Sequence, residues 1–148
     1  KRLRDHLIIV GFGHVGASVA AEMENLGEFY VVVELNPLTV EAERDHGRPI
    51  IYGDATEAVV LKEAGLENAR GVLITASDTT AVFETAKAVR ELRPDVDLLA
   101  RIRYLNQVEP LKEIGADQVF TDEDAVVSSV LDSVDRLFRE TKGRQGEA

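Results

Sequence analysis

Short apolar runs alternate along the chain with longer segments whose apolar residues recur at helical spacing. Leu7-Ile8-Ile9-Val10 reads as a buried strand, and His14 to Leu26 as a helix after it. Phe29 to Val33 predicts a second strand, rich in aromatic and β-branched residues. Leu38 to His46 reads as a helix ended by Gly47, and Pro49 to Tyr52 as a short third strand. Asp54-Ala55-Thr56-Glu57 has capping-box spacing and predicts a helix from there to about Ala64. Val72 to Thr75 is the fourth strand, and Asp78 to Leu92 a long helix stopped before Pro94. Asp97 to Ile102 is the fifth. Asn106 is placed to cap a helix that carries Pro110 in its first turn and ends at Gly115. Gln118-Val119-Phe120 is the sixth strand, and a helix starts at Asp122 with apolar residues at Val126, Val127, Val130, Leu131, Val134, Leu137 and Phe138.

Strict strand–helix alternation predicts an α/β fold, a doubly wound parallel sheet with right-handed crossovers. The glycine-rich turn after the first strand makes it Rossmann-type, six strands in the order 3-2-1-4-5-6, with the last helix crossing away at the C-terminus. Residues 6–141 form one nucleotide-binding domain in this reading. Residues 1–5 form a basic linker, either a solvated terminus or a juxtamembrane segment, and 142–148 a disordered tail without apolar anchors. The chain opens at Lys1 without a methionine, which fits a piece of a longer protein.

Composition narrows the chemistry. The net charge of −10 argues against nucleic acid, whose binding needs a basic footprint to displace counterions. With no cysteine there is no disulfide framework, thiolate metal site or cysteine nucleophile, in keeping with a reducing cytoplasm.

Gly11-Phe12-Gly13-His14-Val15-Gly16 leaves a strand and enters a helix, the context that a dinucleotide fingerprint requires. Gly11 permits the tight turn, Gly13 lets a pyrophosphate approach the backbone, and Gly16 allows close helix packing, while the helix start offers free N–H groups. His14 either adds a donor or faces solvent. Glu34 stands 18 residues after Gly16 at the end of the second strand, placed for ribose hydroxyls. No arginine follows in Leu35-Asn36-Pro37, so NADP is disfavoured. Ligands of open parallel sheets lie across the carboxyl ends of the strands. Here those ends carry Gly53, Asp54, Ala55 and Thr56, then Thr75, Ala76, Ser77 and Asp78, then Arg101, then Thr121, Asp122 and Glu123. Asp54, Thr56 and Asp78 also read as helix caps, whereas Arg101 is placed to meet a phosphate.

The glycine loop, Val33-Glu34-Leu35-Asn36-Pro37, Tyr52-Gly53-Asp54-Ala55-Thr56, Ala100-Arg101 and Gly115-Ala116-Asp117-Gln118-Val119 together resemble the RCK N-terminal (KTN, Trk-type NAD-binding) domain. The resemblance runs from His6 to Leu137. It implies a cytoplasmic nucleotide-sensing domain, at the inner face of the membrane, of a bacterial potassium channel, a Trk or Ktr uptake system or a Kef-type potassium–proton antiporter. It further implies NAD(H), AMP, ADP or ATP as ligand. The glycines would hold phosphates, Glu34 the ribose, Asp54, Ala55 and Thr56 the adenine surround, and Arg101 a phosphate. It implies a homodimer formed through the last helix, or a larger ring, although that helix could instead pack on its own sheet. Glu123 matches the metal-linked glutamate of Ktr-type members, and also suits a helix N-terminus. Arg101-Ile102-Arg103 replaces the acidic fifth strand of calcium-gated members, and the second ligand domain that many members carry is not in this sequence, by truncation or by nature. In that respect, and in Val33 to Pro37, the chain is similar to Kef-type members.

No acid–base constellation accompanies the fingerprint. His6, His14 and His46 all lie off the later strand ends, and Tyr104 has Val108 rather than lysine four residues on. Catalytic residues are therefore expected to be none. The cofactor domain of an NAD-dependent oxidoreductase is the alternative, and a methyltransferase using S-adenosylmethionine a distant third.

Overall fold

Strands whose residues are apolar without interruption belong in the middle of a two-sided core, and this chain places them there. Ile8, Ile9 and Val10 of β1 (Leu7–Val10), Val31 to Val33 of β2 (Tyr30–Glu34) and Val72 to Ile74 of β4 (Gly71–Ile74) are all buried. The computed structural model describes residues 3–146. Its sheet has six parallel strands in the order β3-β2-β1-β4-β5-β6, with β3 (Ile50–Tyr52), β5 (Asp97–Ile102) and β6 (Gln118–Thr121) completing it. Leu7 pairs with Tyr30 on one side and Gly71 on the other. The expected Rossmann-type order is the observed one.

Helices α1 (His14–Leu26) and α2 (Pro37–Asp45) cover one face, where Ala20 and Val40 meet Ile9, Val32 and Ile50. Helices α3 (Ala58–Glu63), α4 (Thr79–Leu92) and α5 (Val108–Ile114) cover the other, where Leu61, Val82, Val89 and Leu111 meet Ile8, Val33 and Leu98. Crossovers to opposite faces on either side of β1 open a crevice above the carboxyl ends of β1 and β4.

Several local expectations change. Asp54 does not cap a helix; its Oδ1 accepts from the Thr56 N–H at 2.9 Å and hydroxyl at 2.7 Å, and α3 begins later, at Ala58. A short aspartate satisfies the nearest N–H two residues on more readily than a more distant one, so a turn replaces the capping box. Asn106 lies inside a 3-10 turn, Leu105–Gln107, that precedes α5, and Pro110 still falls in the first turn of that helix. Phe29 stands outside β2 and is exposed.

The terminal segments also differ from the reading of the chain. Leu3 packs against the core and the Asp5 N–H donates to the Asn68 carbonyl at 2.9 Å, so residues 3–5 are docked rather than a free linker; Lys1 and Arg2 lie outside the described residues. The last helix, α6 (Asp122–Gly146), continues through 142–146 of the expected disordered tail, whose Lys, Arg and Gln are good helix formers. Residues 147 and 148 lie outside the described part. The apolar face of α6 does not pack on its own sheet. Val126, Val127, Val130, Leu131, Val134 and Phe138 are 45–63% exposed. Among the described residues, no helix is long and apolar enough to cross a membrane.

Candidate functional site

The three glycines of the loop meet three different steric situations. Gly11 has φ +96°, and a Cβ there would press on the Thr75 hydroxyl. At Gly16 a Cβ would run into the carbonyl oxygen of Gly11, so helix and loop can approach this closely only without a side chain. Gly13 is the opposite case. A Cβ there would meet nothing within 4 Å, and the residue is the N-cap of α1 with no side-chain cap. The loop thus exposes backbone where the first N–H groups of α1 begin, the arrangement that takes an anion.

Thr75 sets the height of this loop. Its buried hydroxyl donates to the Val10 carbonyl at 2.9 Å and lies 3.1 Å from that of Gly11, tying β4 to the turn after β1. Across the crevice Glu34 reaches back from the end of β2. Its Oε1 accepts from the Phe12 N–H at 2.9 Å and its Oε2 from the Asn36 N–H at 2.8 Å. Each carboxylate oxygen keeps a second lone pair for a hydroxyl. Asn36 in turn caps α2, its side chain accepting from the Leu38 N–H at 3.0 Å.

The crevice so formed encloses about 480 Å³, within the roughly 300–1,000 Å³ range of small-molecule sites. Gly11, Phe12, Gly13, Glu34, Leu35, Asp54, Ala55, Thr75, Ala76, Asp78 and Arg101 all line it. His14, Val15, Gly16 and Thr56 do not; Gly16 supports the turn from behind and Thr56 turns its hydroxyl to Asp54. Asp78 caps α4, accepting from the Thr80 N–H at 3.3 Å. Ser77, read from the sequence as a strand-end residue, lies on the wall, whereas sequence reasoning did not single out Asn36, Thr39 or Thr85 there. Of these, Asn36 was detectable, because Asn-Pro before a helical run marks an N-cap followed by N1.

Arg101 has a partner that the sequence did not disclose. Its Nε and one terminal nitrogen donate to the two oxygens of Asp122 at 2.8 and 3.0 Å. This fork raises the guanidinium further above its ordinary value and holds the Asp122 carboxyl below the usual carboxylate range. The pair was discoverable only through register. Arg101 stands opposite Phe120 across β5 and β6, so Asp122, two residues on, comes to the same side. Glu123 accepts from the Leu105 N–H at 3.3 Å, and no group of three or more His, Cys, Asp or Glu side chains suited to a metal occurs among the described residues.

The fold has close counterparts among known proteins. The TrkA-N domain model matches residues 7–122. The chain belongs to the TrkA-N domain family. It is 31% identical over 120 residues to a putative K(+) efflux antiporter KefB from Alkalimonas amylolytica, covering 81% of this chain and 18% of the antiporter. The crystal structure of the TrkA-N domain of the inner membrane protein YbaL from Escherichia coli superposes with a TM-score of 0.83 at 26% identity, covering 88% of this chain and 96% of that one. The GsuK channel bound to NAD superposes with a TM-score of 0.73 at 26% identity, covering 80% of this chain and 21% of the channel. This TrkA-N chain therefore spans about a fifth of the length of the antiporter and the channel it matches, 18% and 21%.

Proposed function

We propose that this TrkA-N domain is a nucleotide-sensing regulatory module, without catalytic activity of its own, serving a membrane potassium transport protein. The observation that carries the reading is the pairing of a bare Gly13 at an uncapped helix start with Glu34 facing it across the crevice. The residues fit an adenine nucleotide. Gly11 to Gly13 would hold phosphates, Glu34 the ribose hydroxyls, Leu35, Asp54 and Ala55 the base, and Arg101 a distal phosphate. The ligand class is NAD(H) or AMP, ADP or ATP, and the likeness to a channel bound to NAD supports it. NADP is disfavoured because its 2′-phosphate would meet the Glu34 carboxylate. A metal at Glu123 would draw its other donors from outside the described residues.

The acids of the crevice support binding over catalysis. Glu34, Asp54 and Asp78 each accept from backbone N–H groups, and no histidine lines the walls among the described residues. The exposed apolar face of α6 supports a homodimer through that helix, alone or within a ring. Ligands that favour one dimer geometry would shift its population, and an attached channel or antiporter at the cytoplasmic face of the membrane would read the shift.

A thermal-shift panel with AMP, ADP, ATP, NAD, NADH, NADPH and S-adenosylmethionine tests this reading, since a ligand of the folded state raises its stability by mass action. Adenine nucleotides or NAD(H) should raise the transition, and NADPH should act less. A shift with S-adenosylmethionine alone would overturn the sensor reading and favour a methyltransferase.

A further inference from the structure

Helix α6 exposes Val126, Val127, Val130, Leu131, Val134 and Phe138 on its apolar face. Its direction is therefore set by what its first turn touches. Asp122 holds the Arg101 fork, Glu123 accepts from the Leu105 N–H, and the Thr121 hydroxyl accepts from the Asp124 N–H at 2.9 Å. Of these, only the Asp122 contact reaches a residue that also lines the nucleotide crevice. Next to the crevice lies a recess of about 110 Å³, walled by Ser77, Thr79, Arg101, Arg103 and Asp122, which shares Ser77 and Arg101 with it. One guanidinium thus borders two places from which an anion can approach.

We propose that Asp122 is an internal competitor for the arginine that receives the ligand's distal phosphate, so that an exchange of partners at Arg101 both selects phosphate-rich adenine nucleotides and resets α6. The inference rests on the nucleotide reading above and goes beyond it. A guanidinium fork matches carboxylate and phosphate geometry equally well, so the exchange loses no hydrogen bonds. The chain length of the phosphate decides it. In this exchange a monophosphate held at Gly13 leaves the Arg101–Asp122 pair in place. A triphosphate extends toward Arg101 with more charge than one carboxylate carries, and displaces Asp122. The released carboxylate has a second cation at hand in Arg103, whose charge already acts on it and whose guanidinium lies over the Tyr104 ring at 5.9 Å. The two arrangements differ in what anchors the start of α6.

Titration calorimetry of the whole chain with ATP and with AMP tests the exchange. Asp122→Asn keeps the side-chain shape and removes the competing charge. ATP should then bind about fivefold tighter or more while AMP changes little, raising the ATP-to-AMP affinity ratio. A ratio that stays level or falls overturns the proposal, and a variant that is merely less stable weakens both ligands together. Asp122→Ser, which stays polar but carries no charge, is read in the same way should the asparagine variant not fold. In the unsubstituted chain, ATP but not AMP should speed hydrogen exchange at residues 122–126; equal exchange with both ligands overturns the link to α6. If neither nucleotide binds the unsubstituted chain, the nucleotide reading itself falls. If both bind and the ratio does not move, the exchange alone is refuted.

Discussion

Glu34 and Phe12 are joined across the crevice, the carboxylate Oε1 accepting the loop N–H at 2.9 Å. The residue placed for ribose is thus also the strut that holds the glycine loop to the end of β2. Both oxygens are committed to backbone donors, with Asn36 as the second. Glu34→Ala should leave the Phe12 N–H without its partner, lowering unfolding stability by roughly 1–2 kcal/mol. It should also weaken adenine nucleotides and narrow the gap between NADH and NADPH, because the repelling carboxylate is gone. Chemical denaturation and calorimetric titration of the same preparation separate the two effects.

Gly13 and Gly16 lie three residues apart and should fail in opposite ways. Gly13→Ala meets open space at φ −82°, so the fold should be as stable as before. Its methyl group would stand where phosphate must approach, and nucleotide binding should be lost. Gly16→Ala drives a Cβ into the Gly11 carbonyl and should destabilise by about 2–3 kcal/mol even with no ligand present. Thermal melts with and without nucleotide read both outcomes.

These glycines also mark how far the chain could be read in advance. Strand order, the crevice and its glycine and glutamate arms were legible, because each depends on spacing within one strand–turn–helix unit. Asp122 on Arg101 was not, since no spacing motif links the two positions and the contact depends on β5–β6 register. The Asp54 turn was misread because a capping box and an Asx turn use the same residues, and only the backbone path separates them. Helical periodicity marked α6 as amphipathic but could not say that its apolar side faces away from its own sheet.

A second network lies on the α1–α2 side and meets the crevice wall only at Phe12. The Tyr30 hydroxyl donates to Glu24, and Arg48 bridges Glu24 and Glu43 while lying over the Phe12 ring at 5.6 Å. Burial, together with the Glu24 carboxylate, pushes the Tyr30 hydroxyl up to about 12. The unfolded chain loses this proton near the ordinary value of 10 while the folded chain keeps it. The stabilisation is therefore complete below pH 10, declines between 10 and about 12, and levels beyond. Tyr30→Phe should remove this part of the alkaline decline, measured as the difference between the two chains in urea unfolding across that range.

The α6 surface should behave as an interface and not as core. Val130→Asp or Val134→Asp sits at a residue about half exposed, so domain stability should change by no more than about 0.5 kcal/mol. The same charge on a dimer face should shift the chain toward monomer. Sedimentation velocity, paired with denaturant unfolding of the monomeric variant, checks both halves.

Occupation of the crevice above β1, β2 and β4 by an adenine nucleotide is tested by a backbone amide NMR titration with ADP. Saturable shifts concentrated at Gly11 to Gly16 and at Glu34 to Asn36 are expected. Shifts confined to other surfaces, such as the Tyr30–Arg48 side, or no saturable shift at all, would contradict it.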